Sequence, residues 1–168
     1  MPMKELKPEE WNENVFRAVG RDWLLVTAGD REGFNAMTAS WGLFGELWGG
    51  HVAEIFIRPS RYTKKFVDEN EYFSLSILPD GLHKAHAVFG TLSGRDLDKT
   101  KETGLTPVFE EKAPYYAESR LVVILKKLYA AELAGESFID RETDLRCYPE
   151  KDYHTLYVGR IEKILVRG

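Results

Sequence analysis

Short β-type runs, each cut off by a turn signal, constrain the fold of this chain more than any other feature. Residues 22–28 (DWLLVTA) form a compact apolar run ended by Gly29-Asp30. Residues 33–39 follow after a short turn, so the two runs read as a hairpin. A third run, 52–57, is closed by Arg58-Pro59, and a fourth, 72–78 (YFSLSIL), is stopped by Pro79-Asp80-Gly81. Residues 121–133 open on LVVIL; the later YAAEL would suit a helix, but the leading β-branched residues favour one long strand. Residues 156–166 read as a final strand with Gly159 at a bulge.

Short helical stretches sit between these runs. They are expected over 8–18, over 61–69 behind a Ser60 cap, for a turn or two over 83–89, and over 96–103 ended by Gly104. Glycines at 42, 45, 49 and 50 make that segment read as loop. About six strands with short helices inserted favour a small, mainly β barrel over a doubly wound sheet. No strand leads into a Gly-x-Gly-x-x-Gly turn, which argues against a Rossmann dinucleotide fold.

The 168 residues suit one domain, 1–168, with residues 1–20 as a lead-in helix. Net charge −4 argues against non-specific nucleic-acid binding, which needs a basic face. The single cysteine, Cys147, forms no internal disulfide and excludes multi-cysteine metal sites. It reads as a half-buried thiol in a reducing compartment. Neither a signal-peptide core nor a membrane-length apolar run is present, so a cytoplasmic, membrane-free protein is expected.

Two segments combine into a chemistry. Residues 35–42 (NAMTASWG) bring small, hydroxyl and amide residues together with one aromatic. Residues 58–63 (RPSRYT) bring two arginines and two hydroxyls to a strand-to-helix junction, where free N–H groups and planar cations suit a phosphate. A flat heteroaromatic ring with a phosphate tail needs both, which points to flavin mononucleotide (FMN) and redox chemistry. Each segment also has a plain reading: an ordinary capped helix for 58–63, and for Trp41 a core-filling aromatic, the better bet for a lone tryptophan. A third segment, Ser93 to Lys99 (SGRDLDK), offers a glycine for close approach, with Arg95 and Lys99 four apart on a short helix. It reads equally well as a self-compensating surface turn. His83 and His86 make a poor metal site without a third ligand and are taken as surface or structural, with no metal expected. His154, ahead of the last strand, suits a site, an interface or a plain loop.

NAMTASWG, RPSRYT with Phe66, YFSLSIL, SGRDLDKTKETGLTP and DYHTLYVGRI occur in this order. Together they resemble the flavin reductase-like family, in its flavoredoxin-type branch. The resemblance covers residues 22–165 and is least clear over 134–150. It implies an FMN-binding split β-barrel, usually a homodimer with flavin sites at the interface. It implies that Asn35, Met37, Thr38, Ala39, Ser40 and Trp41 line the isoalloxazine and ribityl chain. Arg58, Ser60, Arg61 and Thr63 would hold the phosphate, and Ser93, Arg95, Asp96 and Lys99 would close the site. His154 corresponds to a histidine near the nicotinamide, though the intervening Tyr153 departs from the pattern. The implied activity is an NAD(P)H-dependent flavin or ferric reductase, with hydride passing from NADH or NADPH to flavin N5. Alternatives are a flavoredoxin-type electron carrier reduced by a redox protein partner, and a non-catalytic FMN or ligand-binding module. A haem-handling barrel would want an axial ligand, and neither His51 nor His154 is favoured for that.

Overall fold

The computed structural model describes residues 2–168. A strand β1 (Met3–Leu6) precedes a helical turn α1 (Val15–Arg17), which widens into a π turn (Ala18–Asp22). Then follow β2 (Leu24–Gly29), β3 (Phe34–Ala39), β4 (Gly42–Leu47), β5 (Gly50–Ile57), α2 (Thr63–Glu69) and β6 (Tyr72–Ile77). After these come α3 (Ala85–Thr91), α4 (Lys99–Thr103), β7 (Pro107–Val108), β8 (Tyr115–Tyr116), β9 (Leu121–Glu132), α5 (Arg141–Cys147) and β10 (Thr155–Arg167). No helix among the described residues is long and apolar enough to cross a membrane.

The main sheet is antiparallel and runs β3-β2-β6-β9-β10-β5-β4, with β1 added on β10. Its two ends, β3 and β4, are separated in the chain only by Ser40 and Trp41. Two linking residues span no more than about 10 Å, so the sheet must curl until its edges approach. The wall is hydrogen-bonded along the whole path and open between β3 and β4: the fold is a split β-barrel. The residues facing its inside explain the apolar runs. Leu24, Val26, Ile55, Ile57, Phe73, Leu75, Val123 and Tyr157 make one buried cluster. Leu25, on the opposite face of β2, packs with Phe89 of α3, Leu105 and Tyr116. β2 is therefore covered on both faces, which is why its sequence is apolar without alternation.

β10 carries the architecture. It pairs with β9 along its length, and its other edge pairs first with β5 and then with β1. The expected bulge is present, with a register shift between Val158 and Gly159. A Cβ at Gly159 would lie 2.8 Å from Phe73 Cζ and 2.9 Å from Leu125 Cβ, so only glycine lets the strands cross here.

Some expectations are corrected. Residues 8–18 are not one helix: a 3-10 turn (Pro8–Glu10) is followed by an extended step before α1. The glycine-rich segment is a hairpin, β4 with β5, not a loop. Its two-residue turn, Trp48-Gly49, has positive φ at both positions (53° and 70°), the primed geometry that matches strand twist. Small residues lower strand propensity, but this turn and the β5 partner override it. Ser60 does not cap α2, which starts at Thr63 with Tyr62 at the cap position and no side-chain cap bond. Beyond the strands expected from sequence, the main sheet has β1 and β4, while β7 and β8 form a separate two-stranded sheet.

Candidate functional site

β3 forms one wall of two neighbouring cavities. The first, about 220 Å³, is lined by Met37, Thr38, Ala39, Ser40, Trp41, Phe56, Arg58, Arg61 and His154. The second, about 450 Å³, continues along β3 from Asn35 and Ala36 to Gly94, Arg95, Asp96, Lys99 and Tyr116. Thus β3, the segment after β5, the loop after α3 and the residue before β10 converge, though they are far apart in sequence.

The junction between the cavities is cationic. Arg61 donates from Nη1 to Gly90 O (2.7 Å) and from Nη2 to Phe89 O (2.8 Å). Lys99 Nζ donates to Ala36 O (3.0 Å) and to the same Phe89 O (3.2 Å). Sharing one carbonyl makes the two charges close neighbours. Lys99 is only 5% exposed, yet among the described residues neither cation has a carboxylate partner; each is held by neutral carbonyls. Burial lowers the pKa of Arg61, and burial together with the Arg61 charge brings Lys99 down to about 8. Phe89 and Gly90 lie near the C-terminal end of α3, where carbonyl dipoles give only partial negative charge.

Around this pair the small residues have specific places. Asn35 Nδ2 donates to Thr63 Oγ1 (2.9 Å), and both residues are buried. A Cβ at Gly94 would sit 2.1 Å from Asn35 Oδ1, so the 93–96 loop lies directly on Asn35. Ser93 Oγ accepts from the Arg95 amide (3.2 Å). The Arg95 guanidinium lies 4.6 Å above the Tyr62 ring and donates to Ser60 O (3.5 Å), so Ser60 enters through its carbonyl. Arg95 and Lys99 do not share a helix face as expected. α4 begins at Lys99, capped by Asp98, and Arg95 lies in the turn before it. Both nonetheless line the second cavity.

The other end is built differently. Arg58 Nη1 forms an ion pair with Asp152 Oδ2 (2.6 Å), and Nη2 donates to Cys147 O (2.9 Å). Its guanidinium also lies 5.1 Å from the Tyr148 ring centre. Arg58 is thus tied to the 147–152 segment. Trp41, read alone as core filling, is instead 45% exposed at the rim, 5.1 Å ring to ring from His154. The intervening Tyr153 donates to Asp144 (2.8 Å) and leaves His154 lining the cavity. Burial, with Arg58 nearby, lowers the His154 pKa to about 4. Thr38 Oγ1 meets both His86 Nδ1 (2.9 Å) and His86 O (3.0 Å). His86 is a buried structural residue, its pKa brought to about 4 by burial and by His83.

Sequence reasoning missed Phe56, Tyr148, Asp152 and the carbonyls of Phe89 and Gly90. Carbonyls leave no residue-type signal. Phe56 sat in a run read only as core, and Tyr148 lies in the stretch that matched least.

A family model, described as flavin reductase like domain, matches residues 16–168. No curated protein matches the chain. Several solved structures share the fold. A flavoredoxin of Desulfovibrio vulgaris (Miyazaki F) is 24% identical, with TM-score 0.66, covering 86% of this chain and 69% of its own. A flavoredoxin from Methanosarcina acetivorans is 19% identical, with TM-score 0.69 and coverages of 87% and 68%. An NADH:FAD oxidoreductase of Streptomyces globisporus C-1027 is 18% identical, with TM-score 0.65 and coverages of 87% and 75%.

Proposed function

Since the chain belongs to the flavin reductase-like family, we propose that it is an FMN-binding oxidoreductase, with NADH or NADPH as the reductant. One observation carries this reading: half-buried Arg61 and buried Lys99 meet at one carbonyl, with no carboxylate partner among the described residues. Burying unpaired charge is costly, so a site that keeps two such cations together fits a dianionic phosphate. Asn35, Thr63 and the Gly94 backbone crowd around that position, where a bulkier loop would fill it. Ser60, Ser93, Arg95 and Asp96 close the same end. Met37, Thr38, Ala39, Ser40 and Trp41 form a wall long enough for the ring and ribityl chain. Arg58, which lines the ring end, orders the segment carrying His154.

When bound, the flavin supplies hydride and single-electron chemistry. The chain binds the phosphate, fixes the ring plane against β3 and limits water access with Trp41 and Phe56. His154 offers a polar contact to the nicotinamide, and no general base is required of it. Exposed apolar side chains on the barrel wall, Leu43 (57%), Trp48 (64%) and Tyr129 (49%), support a homodimer that covers them. The electron acceptor is a small molecule or a redox protein partner, and the location is cytoplasmic.

The testing experiment is the visible spectrum of the purified protein with FMN added, followed by anaerobic NADH and then NADPH. Bound flavin that bleaches rapidly with either nucleotide is the expected result and names the donor. Bound flavin that neither nucleotide reduces would replace the reductase with a carrier. Failure to bind FMN would remove the flavin reading altogether.

A further inference from the structure

His154 has two ring nitrogens in unlike surroundings. Nδ1 lies 2.7 Å from the Tyr148 hydroxyl, a contact buried on both sides. Nε2 has no protein partner among the described residues, is not sealed from solvent, and belongs to a side chain that lines the first cavity. The direction of the buried bond follows from satisfiability. Tyr148 is 3% exposed, and among the described residues its hydroxyl has no acceptor other than His154 Nδ1. If Nδ1–H donated to the tyrosine oxygen, the tyrosine proton would be buried without a partner, which is the costly arrangement. The hydroxyl must therefore donate, and Nδ1 must accept. A neutral imidazole that accepts at Nδ1 carries its proton on Nε2.

We propose that Tyr148 is the positioning residue of the site: its hydroxyl holds His154 in the Nε2–H form, presenting a neutral hydrogen-bond donor to the cavity beside Trp41. Other contacts hold Tyr148 in place. Its ring packs against Tyr153 (4.9 Å) and Phe138 (5.7 Å) and lies under Arg58. The charged groups near the histidine are Arg58 and Asp152, which pair with each other, so neither supplies or withdraws the ring proton. Burial and Arg58 both disfavour imidazolium, so the donor stays neutral through the physiological range. The ligand class is a group with an acceptor oxygen or nitrogen stacked at the Trp41 rim. Its assignment as a nicotinamide rests on the proposed function, whereas the tautomer does not.

The test is nitrogen-15 NMR of the histidine rings in flavin-free protein, wild type against Tyr148→Phe, with melting temperature as the folding control. The expected result is an unprotonated Nδ1 and a protonated Nε2 for His154, lost to a mixture of tautomers in Tyr148→Phe. A protonated Nδ1 in wild type, or an unchanged tautomer in a folded Tyr148→Phe, overturns the proposal. In FMN-loaded protein, His154→Gln, which keeps a donor near the Nε2 position, should retain reduction by NADH within about threefold, and His154→Leu should lose at least tenfold. Equal rates for the two would remove the donor role. Should FMN fail to bind, the flavin reading falls while the tautomer result stands.

Discussion

The two ends of the cavity each hold an arginine from the same hexapeptide, and the structure gives them opposite roles. Arg58 is neutralised by Asp152 and bonded to Cys147 O, so it is a structural tie. Arg61, three residues on, bonds among the described residues only to the carbonyls of Phe89 and Gly90 and shares one of them with Lys99. One charge is spent and the other is held in reserve. An arginine in a promising motif therefore identifies an anion site only when the fold withholds its counter-ion.

That contrast can be broken most directly at Arg61. Arg61→Ala should weaken FMN binding by on the order of 1.5–3 kcal/mol, the range for hydrogen bonds to charged groups, or roughly 10- to 150-fold in Kd; fluorescence titration measures it, and unchanged affinity would sink the phosphate assignment. Lys99→Met sharpens the same point by moving two quantities in opposite directions. FMN affinity should fall about tenfold, while the flavin-free protein should gain about 1 kcal/mol because a buried, unpaired charge is gone. A loss of stability in urea melts would mean that Lys99 is structural.

The Arg58 end should respond less. Asp152→Asn removes the charge of an ion pair whose carboxylate is 40% exposed, so FMN affinity should shift by less than about threefold. Amide exchange across 147–154 should nevertheless quicken, since that segment is what the pair orders. A large affinity loss here would erase the distinction between the two ends. The smallest effect near neutrality is the response to pH. His86 and His154 both titrate near 4 when folded, below the ordinary 6.5, so the unfolded chain binds more protons between those values. Stability should fall as pH drops through that window. Exposed His51, raised mainly by its bond to Glu9, opposes the trend. Melting temperature from pH 7 to 4 in wild type and His86→Leu should show a shallower slope in the variant.

Much of this was legible in the sequence. The β2–β3 hairpin, the long β9 and the Gly159 bulge follow from local residue types, and so does the run of small residues along β3. What was hidden is non-local. Asp152 lies 94 residues beyond Arg58, so nothing near RPSRYT announces that one of its arginines is neutralised. The carbonyl at Phe89 that gathers two cations carries no residue signature at all. β4 was obscured because its glycines speak for a loop, and only pairing with β5 makes them a strand. Tyr148 was hidden by an unfamiliar stretch whose value lies in one hydroxyl.

β10 also sets a timetable. It supplies the partner for β9 along most of that strand's length, for β5 and for β1, and it follows all of them in the chain. On a translating ribosome those three strands emerge with unpaired edges, and residues 155–167 must be free before the wall can be completed. Until then the nascent chain exposes strand edges of the kind that invite pairing with other chains. Closure of this barrel is therefore expected only once β10 has left the exit tunnel. A nascent chain stalled before Thr155 should remain protease-sensitive, and one with β10 clear of the exit tunnel should not.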